Sequence, residues 1–248
     1  MRESITMGQI YLNSSLNLAA TASCDGNGGL SRVRHHATTG ACRIQLSLPA
    51  FLHDWPQHGD YDCSGAAQSW SESLVRSPVL SRGWVTQERL LSPRTIYFAE
   101  GLLFWECSEI CASELFPDGL EVISFDRLKF CQTISRPGIT ATHSFLRLWC
   151  NLVTMYSETS LTYAEDKLIA VSGVAELMCI IWNLKREDYI AGLWRESLLV
   201  QLLRSVRPES GLSRPSEYRA PSWSWASLDA NCVYIPYSST STNNLRIT

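Results

Sequence analysis

The chain has 248 residues, 45% hydrophobic and 18% charged, with enough length and aromatic content to bury a sizeable core, which excludes a disordered polymer. Its 21 basic and 24 acidic residues leave a net charge of -3 and no basic stripe, so nucleic-acid binding is set aside. No run approaches the roughly 18 apolar residues that cross a bilayer.

The opening "MRESITMGQIYLNSS" lacks the basic-then-apolar layout of a secretory signal, so the sequence reads as cytoplasmic. Its nine cysteines are expected as ordinary thiols.

In chain order, "IYLNSSLNLAATAS" (10–23) predicts a helix end or turn and then a short strand from Leu16 to Thr21. "CDGNGGL" (24–30) is a loop, because Asp-Gly and Asn-Gly-Gly tolerate positive φ. As a phosphate loop it fails, since the glycine spacing is wrong and no Lys-Ser/Thr follows. Alternation predicts a strand from Cys42 to Leu48. Residues 49–69, broken by proline, glycine and Asp, read as a surface excursion.

Ser81 is expected to cap a short helix running to Leu91, which Ser92-Pro93 ends by restricting the residue before proline. "RTIYFAEGLLFWEC" (94–107) predicts a hairpin about Glu100-Gly101. Residues 108–140 read as a loop-rich connector.

Three packed helices follow. The first is "ATHSFLRLWCNLVTMYS" (141–157). The second lies in 161–178 and opens on a capping box of Thr162 and Glu165. The third, over 187–206, carries Ile190, Leu193, Trp194, Leu198, Leu202 and Val206 on one stripe. "APSWSWASLD" (220–229) and "CVYIPY" (232–237) read as strands, the first with Trp223 and Trp225 on one face. The Ser/Thr/Asn tail, 238–248, reads as disordered.

"RGWVTQERLLSPRTIYF" (82–98) followed by "LFWEC" resembles the signature end of the fungal heterokaryon incompatibility (HET) domain. "MGQIYLNSSLNLAATAS" resembles that domain's middle segment. "YSETSLTYAEDKLIAVSGVAE", "YIAGLW" and "APSWSWAS" resemble the region that commonly follows it. The expected "Y-x-x-L-S-Y-x-W-G"-like and "W-I-D-x-x-C-I-N-Q" blocks are missing, so the chain is expected to begin partway through the domain.

The resemblance implies a mixed α/β fold. Residues 1–107 would be the C-terminal part of a HET domain, 108–140 the connector, and 141–237 a helical and β-rich extension. It also implies fungal nonself recognition and programmed cell death, with protein partners or self-association; the alternative is a non-catalytic adaptor or a truncated, inactive remnant of such a protein.

Two readings of the cluster at 81–94 stay open. On a helix, Trp84 and Glu88 share a face one turn apart, so the indole would roof and partly desolvate the carboxyl. That spacing resembles the Trp-Cys-x-x-Glu segment of TIR domains, whose glutamate cleaves NAD; Val85 here replaces the Cys. By that resemblance Glu88 is the catalytic candidate, NAD its substrate, and Trp84, Arg82, Gln87, Arg89 and Arg94 its supporting residues. In the other reading Glu88 pairs with Arg82, Arg89 or Arg94 as a structural clamp.

No metal site is expected. Cys107 and Cys111 lack a second pair at metal spacing, and His35-His36 sits in a loop. Trp223 and Trp225 are expected as the lid of a core, with sugar or base stacking the alternative.

Overall fold

The computed structural model describes residues 2–31, 41–47, 58–64, 70, 73–74, 77–120, 130 and 141–234. The expected hairpin forms from β4 (Arg94–Phe98) and β5 (Leu103–Cys107), which pair Phe98 with Leu103 through to Arg94 with Cys107. Two-residue alternation sends Thr95, Tyr97 and Phe104 and Glu106 to the buried face, with Thr95 opposite Glu106 and Tyr97 opposite Phe104. β1 (Asn17–Ala19) runs parallel to β4, and β6 (Cys111–Ser113) runs antiparallel to β5, giving the order β1-β4-β5-β6. Trp70 and Leu74 close over this face as a small core, with the Trp70 ring edge-on to Tyr97 and to Phe104.

Helix α1 (Arg2–Leu12) packs on α2 (Gly83–Leu91) and on α4 (Ser172–Trp182), and α2 also touches α4. The approach of α1 to α4 is glycine to glycine: a Cβ on Gly173 would lie 3.0 Å from the Gly8 Cα and 2.5 Å from Gln87 Oε1. Leu90 and Leu91 of α2 join residues of α3 (Ala141–Ser157) and α4 in the main core, where Trp149, Trp194 and Trp225 are fully buried. The fold is thus mixed α and β, as expected.

Several expectations need correction. The excursion at 49–69 holds β3 (His58–Ser64), which pairs antiparallel with β2 (Ala41–Ser47). The connector contains β6, while 121–129 and 131–140 lie outside the described residues. Ser81 does not cap α2. Arg82 holds the N-cap position without a side-chain cap bond, and Ser81 Oγ donates to the Pro78 carbonyl. The helix does end as expected, with Ser92 in extended conformation before Pro93.

The second predicted helix is shorter. Ala164–Lys167 is a 3-10 turn capped at Tyr163 with no side-chain cap bond, and α4 begins only at Ser172. Tertiary ties hold this turn, since Tyr156 donates to the Lys167 carbonyl at 2.8 Å and Lys167 Nζ donates to the Leu228 carbonyl at 2.6 Å.

The third predicted helix is a hairpin of β7 (Tyr189–Ile190) and β8 (Leu193–Trp194), followed by the short α5 (Leu198–Leu202) and then β9 (Ser205–Val206). Ala191 and Gly192 turn it with φ of 47° and 89°, the positive pair of a type I′ turn. The Trp149 and Trp225 indoles both donate to the Gly192 carbonyl, at 3.1 and 2.8 Å. Trp223 and Trp225 do not share a strand face. Trp225 opens the 3-10 turn Trp225–Ser227 and is fully buried, whereas Trp223 is 38% exposed. β10 (Cys232–Val233) pairs with β9 and is the described part of the last predicted strand; 238–248 lie outside the described residues.

Candidate functional site

The carboxyl end of β1 opens into a cavity of about 300 Å³. One wall is the loop that follows β1, including Ser23 and Asp25; the other comes from the start and outer turn of α2, including Arg82, Glu88 and Arg89. The "DGNGG" turn shapes the first wall. Asp25 Oδ1 accepts from the Asn27 amide at 2.8 Å, Ser23 Oγ donates to the Gly29 carbonyl at 2.7 Å, and Gly29 takes a φ of 66°. Crevices outside the carboxyl ends of parallel strands are the usual ligand positions of open α/β sheets.

Glu88 is the half-buried acid of this cavity. Burial raises its carboxyl above the ordinary glutamate value, opposed by a hydrogen bond from the Tyr11 hydroxyl and by the positive charge of Arg82. The same contact pushes Tyr11 up to about 12, through burial first and then the charge and hydrogen bond of Glu88. Tyr11 therefore keeps its proton throughout the neutral range and stays a donor.

Arg89 is engaged elsewhere. Its Nε and Nη2 donate to Glu106 Oε2 and Oε1 at 2.9 Å each, a bidentate grip on a carboxylate with no exposed side-chain surface. Tyr97, which also lines the cavity, donates its hydroxyl to Glu106 Oε2. Burial, then the negative charge of Glu106, holds that phenol well above its ordinary value. The Arg89 guanidinium stands 5.8 Å from the Trp70 ring centre. A structural clamp thus exists at this place, and Glu106 is its carboxylate.

The other predicted residues point away. Trp84 Nε1 donates to Asp166 Oδ2 at 3.1 Å, tying α2 to the 3-10 turn at 164–167. Gln87 is fully buried, and its Oε1 accepts from the Gly173 amide at 2.8 Å, satisfying a donor in the first turn of α4. Arg94 is exposed and borders a separate, largely apolar hollow with Leu12, Trp105 and Leu177. Arg82, Glu88 and Arg89 are brought together; Trp84, Gln87 and Arg94 are not.

Sequence reasoning missed Tyr11, Tyr97 and Glu106. The hairpin pattern held a signal for two of them, because a turn at Glu100-Gly101 sets Tyr97 and Glu106 on one face. Tyr11 had none, being brought to Glu88 only by helix packing.

Among the described residues no group of three His, Cys, Asp or Glu side chains stands where a metal would be held, and His35 and His36 lie outside them. Among the described residues Cys107 and Cys111 are not joined in a disulfide. No helix among the described residues is long and apolar enough to cross a membrane.

Comparison with curated proteins gives no match, and comparison with solved structures gives none either. Residues 1–88 match the family model described as heterokaryon incompatibility protein (HET), a stretch that holds α1, the loop wall of the cavity and, as its last residue, Glu88, while Arg89 and Tyr97 of the lining lie beyond it. Over residues 1–88, then, the chain is similar to the heterokaryon incompatibility family.

Proposed function

We propose that the chain acts in fungal nonself recognition as an inducer of programmed cell death, and that its effector step is NAD cleavage beside Glu88. One observation carries the reading: Glu88 lines a cavity at the carboxyl end of a parallel strand, yet is withdrawn from water enough for burial to raise its carboxyl. Acids matched to catalysis near neutrality are made this way. The four-residue spacing of Trp84 and Glu88, which resembles that of TIR domains, supports the same chemistry.

In this reaction the bond between ribose C1′ and the nicotinamide nitrogen breaks, and its electron pair leaves with nicotinamide. The Glu88 carboxylate stabilises the ribosyl cation in a medium of low dielectric. Water then adds to C1′ and gives up its proton, yielding ADP-ribose. Arg82, exposed on the cavity wall, is suited to a phosphate of the substrate. Self-association is the expected trigger.

The test is NAD consumption by the full chain at increasing protein concentration. Glu88→Gln is expected to lower the rate by roughly 10²-fold or more, the usual size of an acid–base or charge-stabilising contribution. Brisk NAD loss that ignores the substitution would overturn the assignment.

A second reading has its own support. The contact of α1 with α2 brings Tyr11 to the neighbourhood of Glu88, which suits a non-catalytic adaptor. That reading expects cell death to survive Glu88→Gln without any NAD loss.

A further inference from the structure

Helix α2 starts without a cap of its own. Arg82 holds the N-cap position in extended conformation, with φ of -87° and ψ of 130°, and its side chain makes no cap bond. The cap comes from the far side of α3. The Gly83 amide donates to the Ser160 carbonyl at 2.8 Å, which satisfies a donor that a helix start leaves open. The Ser160 amide in turn donates to the Ser81 carbonyl at 2.7 Å. These two bonds make a parallel bridge between Arg82 and Ser160, so the peptide groups on both sides of Arg82 are held.

The turn that carries Ser160 is itself braced. At the end of α3, Thr159 donates to the Tyr156 carbonyl from its amide and from its Oγ1, at 3.0 and 2.7 Å. Side-chain packing closes the contact, because a Cβ on Gly83 would stand 2.6 Å from Leu161 Cδ2. A glycine is what lets the helix start come this near.

Arg82 meanwhile lines the cavity and is exposed. Among the described residues the lining holds two cations, Arg82 and Arg89, and two acids, Asp25 and Glu88. Arg89 is committed to Glu106, whereas Arg82 enters no ion pair among the described residues. Arg82 is thus the cation placed to meet an anionic ligand.

We infer that the turn after α3 is a positioning element of this cavity: Ser160, through its backbone, and Leu161, through its side chain, set where Arg82 offers its guanidinium to the diphosphate of a dinucleotide. This rests on the proposed reading of the cavity as the NAD site. A guanidinium reads phosphate through paired donors in one plane, so a shifted helix start weakens the contact without removing the charge. Ser160 and Leu161 lie outside the stretch that matches the family model.

The experiment uses the full chain with Gly83→Ala, whose new Cβ meets Leu161, and Gly83→Ala with Leu161→Ala, which restores the room. Arg82→Ala is the reference. Calorimetry follows the binding of inorganic pyrophosphate, and kinetics give KM and kcat for NAD loss. Gly83→Ala is expected to weaken pyrophosphate binding and raise KM about tenfold, the size of one charge-assisted contact. The kcat should change little, because such a contact serves substrate and transition state alike. The double variant should recover most of both losses, and Gly83→Ala added to Arg82→Ala should cost nothing further. Ser160→Pro, which deletes the amide that bonds Ser81 and adds no bulk at Gly83, is expected to act in the same direction. Unchanged pyrophosphate affinity in Gly83→Ala and in Ser160→Pro, or no pyrophosphate binding by wild type, would overturn the inference. Binding that follows the expected pattern while wild type consumes no NAD would sink the NAD reading and leave the role of the turn standing.

Discussion

Arg89 and Glu106 are joined by two parallel hydrogen bonds of 2.9 Å, from Nε to Oε2 and from Nη2 to Oε1. The pair fastens α2 to the sheet and leaves Glu88, one residue earlier, out of the ion pair that the charge pattern invites. Glu106 has no exposed side-chain surface and Arg89 only 12%, so neither charge is well served by solvent. Breaking such a pair strands the remaining charge. Glu106→Gln is expected to cost about 3–5 kcal/mol in urea unfolding of the full chain. A loss below about 1 kcal/mol, the size seen for exposed pairs, would show that the grip is not formed.

Trp84 is predicted to matter for stability and not for the protonation of Glu88. Its indole nitrogen donates to Asp166, so Trp84→Phe loses one charge-assisted bond, worth about 1–2 kcal/mol. The acid limb of NAD loss is expected to stay in place. A displaced limb would restore the indole as the group that shields the carboxyl.

The Glu88 titration also has a consequence for stability. Its folded carboxyl lies above the ordinary glutamate value because of burial, so the native state favours the neutral form relative to the unfolded chain. That contribution is complete below the ordinary value and is lost as pH rises through the raised one. Glu88→Gln removes it. Urea midpoints taken from about pH 4 to 8 should therefore show the variant gaining on wild type as pH rises. A constant gap, or one that closes in the other direction, would contradict the burial of this group.

The turn at Ala191-Gly192 gives two substitutions of opposite sign. Gly192 has a φ of 89°, and a Cβ there would sit 2.6 Å from Trp225 Nε1. Gly192→Ala should cost about 2–3 kcal/mol, from strain and from displacing the indole that donates to its carbonyl. Ala191 already pays for a φ of 47°, so Ala191→Gly should stabilise by about 0.5–1 kcal/mol. Thermal unfolding of both variants checks the pair, and a shift of the same sign in both would refute the type I′ assignment.

Local patterns carried much of the fold. Alternation about Glu100-Gly101 specified β4 and β5, because a short turn fixes the register of the strands it joins. Ser92-Pro93 stopped α2, and the 3.6-residue period placed α3. The same logic failed over 187–206, where an apolar stripe suited a helix. Trp149 and Trp225 both spend their indole donors on the Gly192 carbonyl, and that long-range demand selected a hairpin.

The site divides in the same way. Sequence by itself determined that a glutamate would stand among arginines and aromatics on a helix beside a two-stranded turn, because residue type and short-range spacing are enough for that. Only the tertiary structure decided that Arg89 would turn to Glu106, that Trp84 would face Asp166, and that Tyr11 would reach Glu88. Each choice depends on which distant group arrives within hydrogen-bonding range, and packing between elements sets that distance, with no trace in the local pattern.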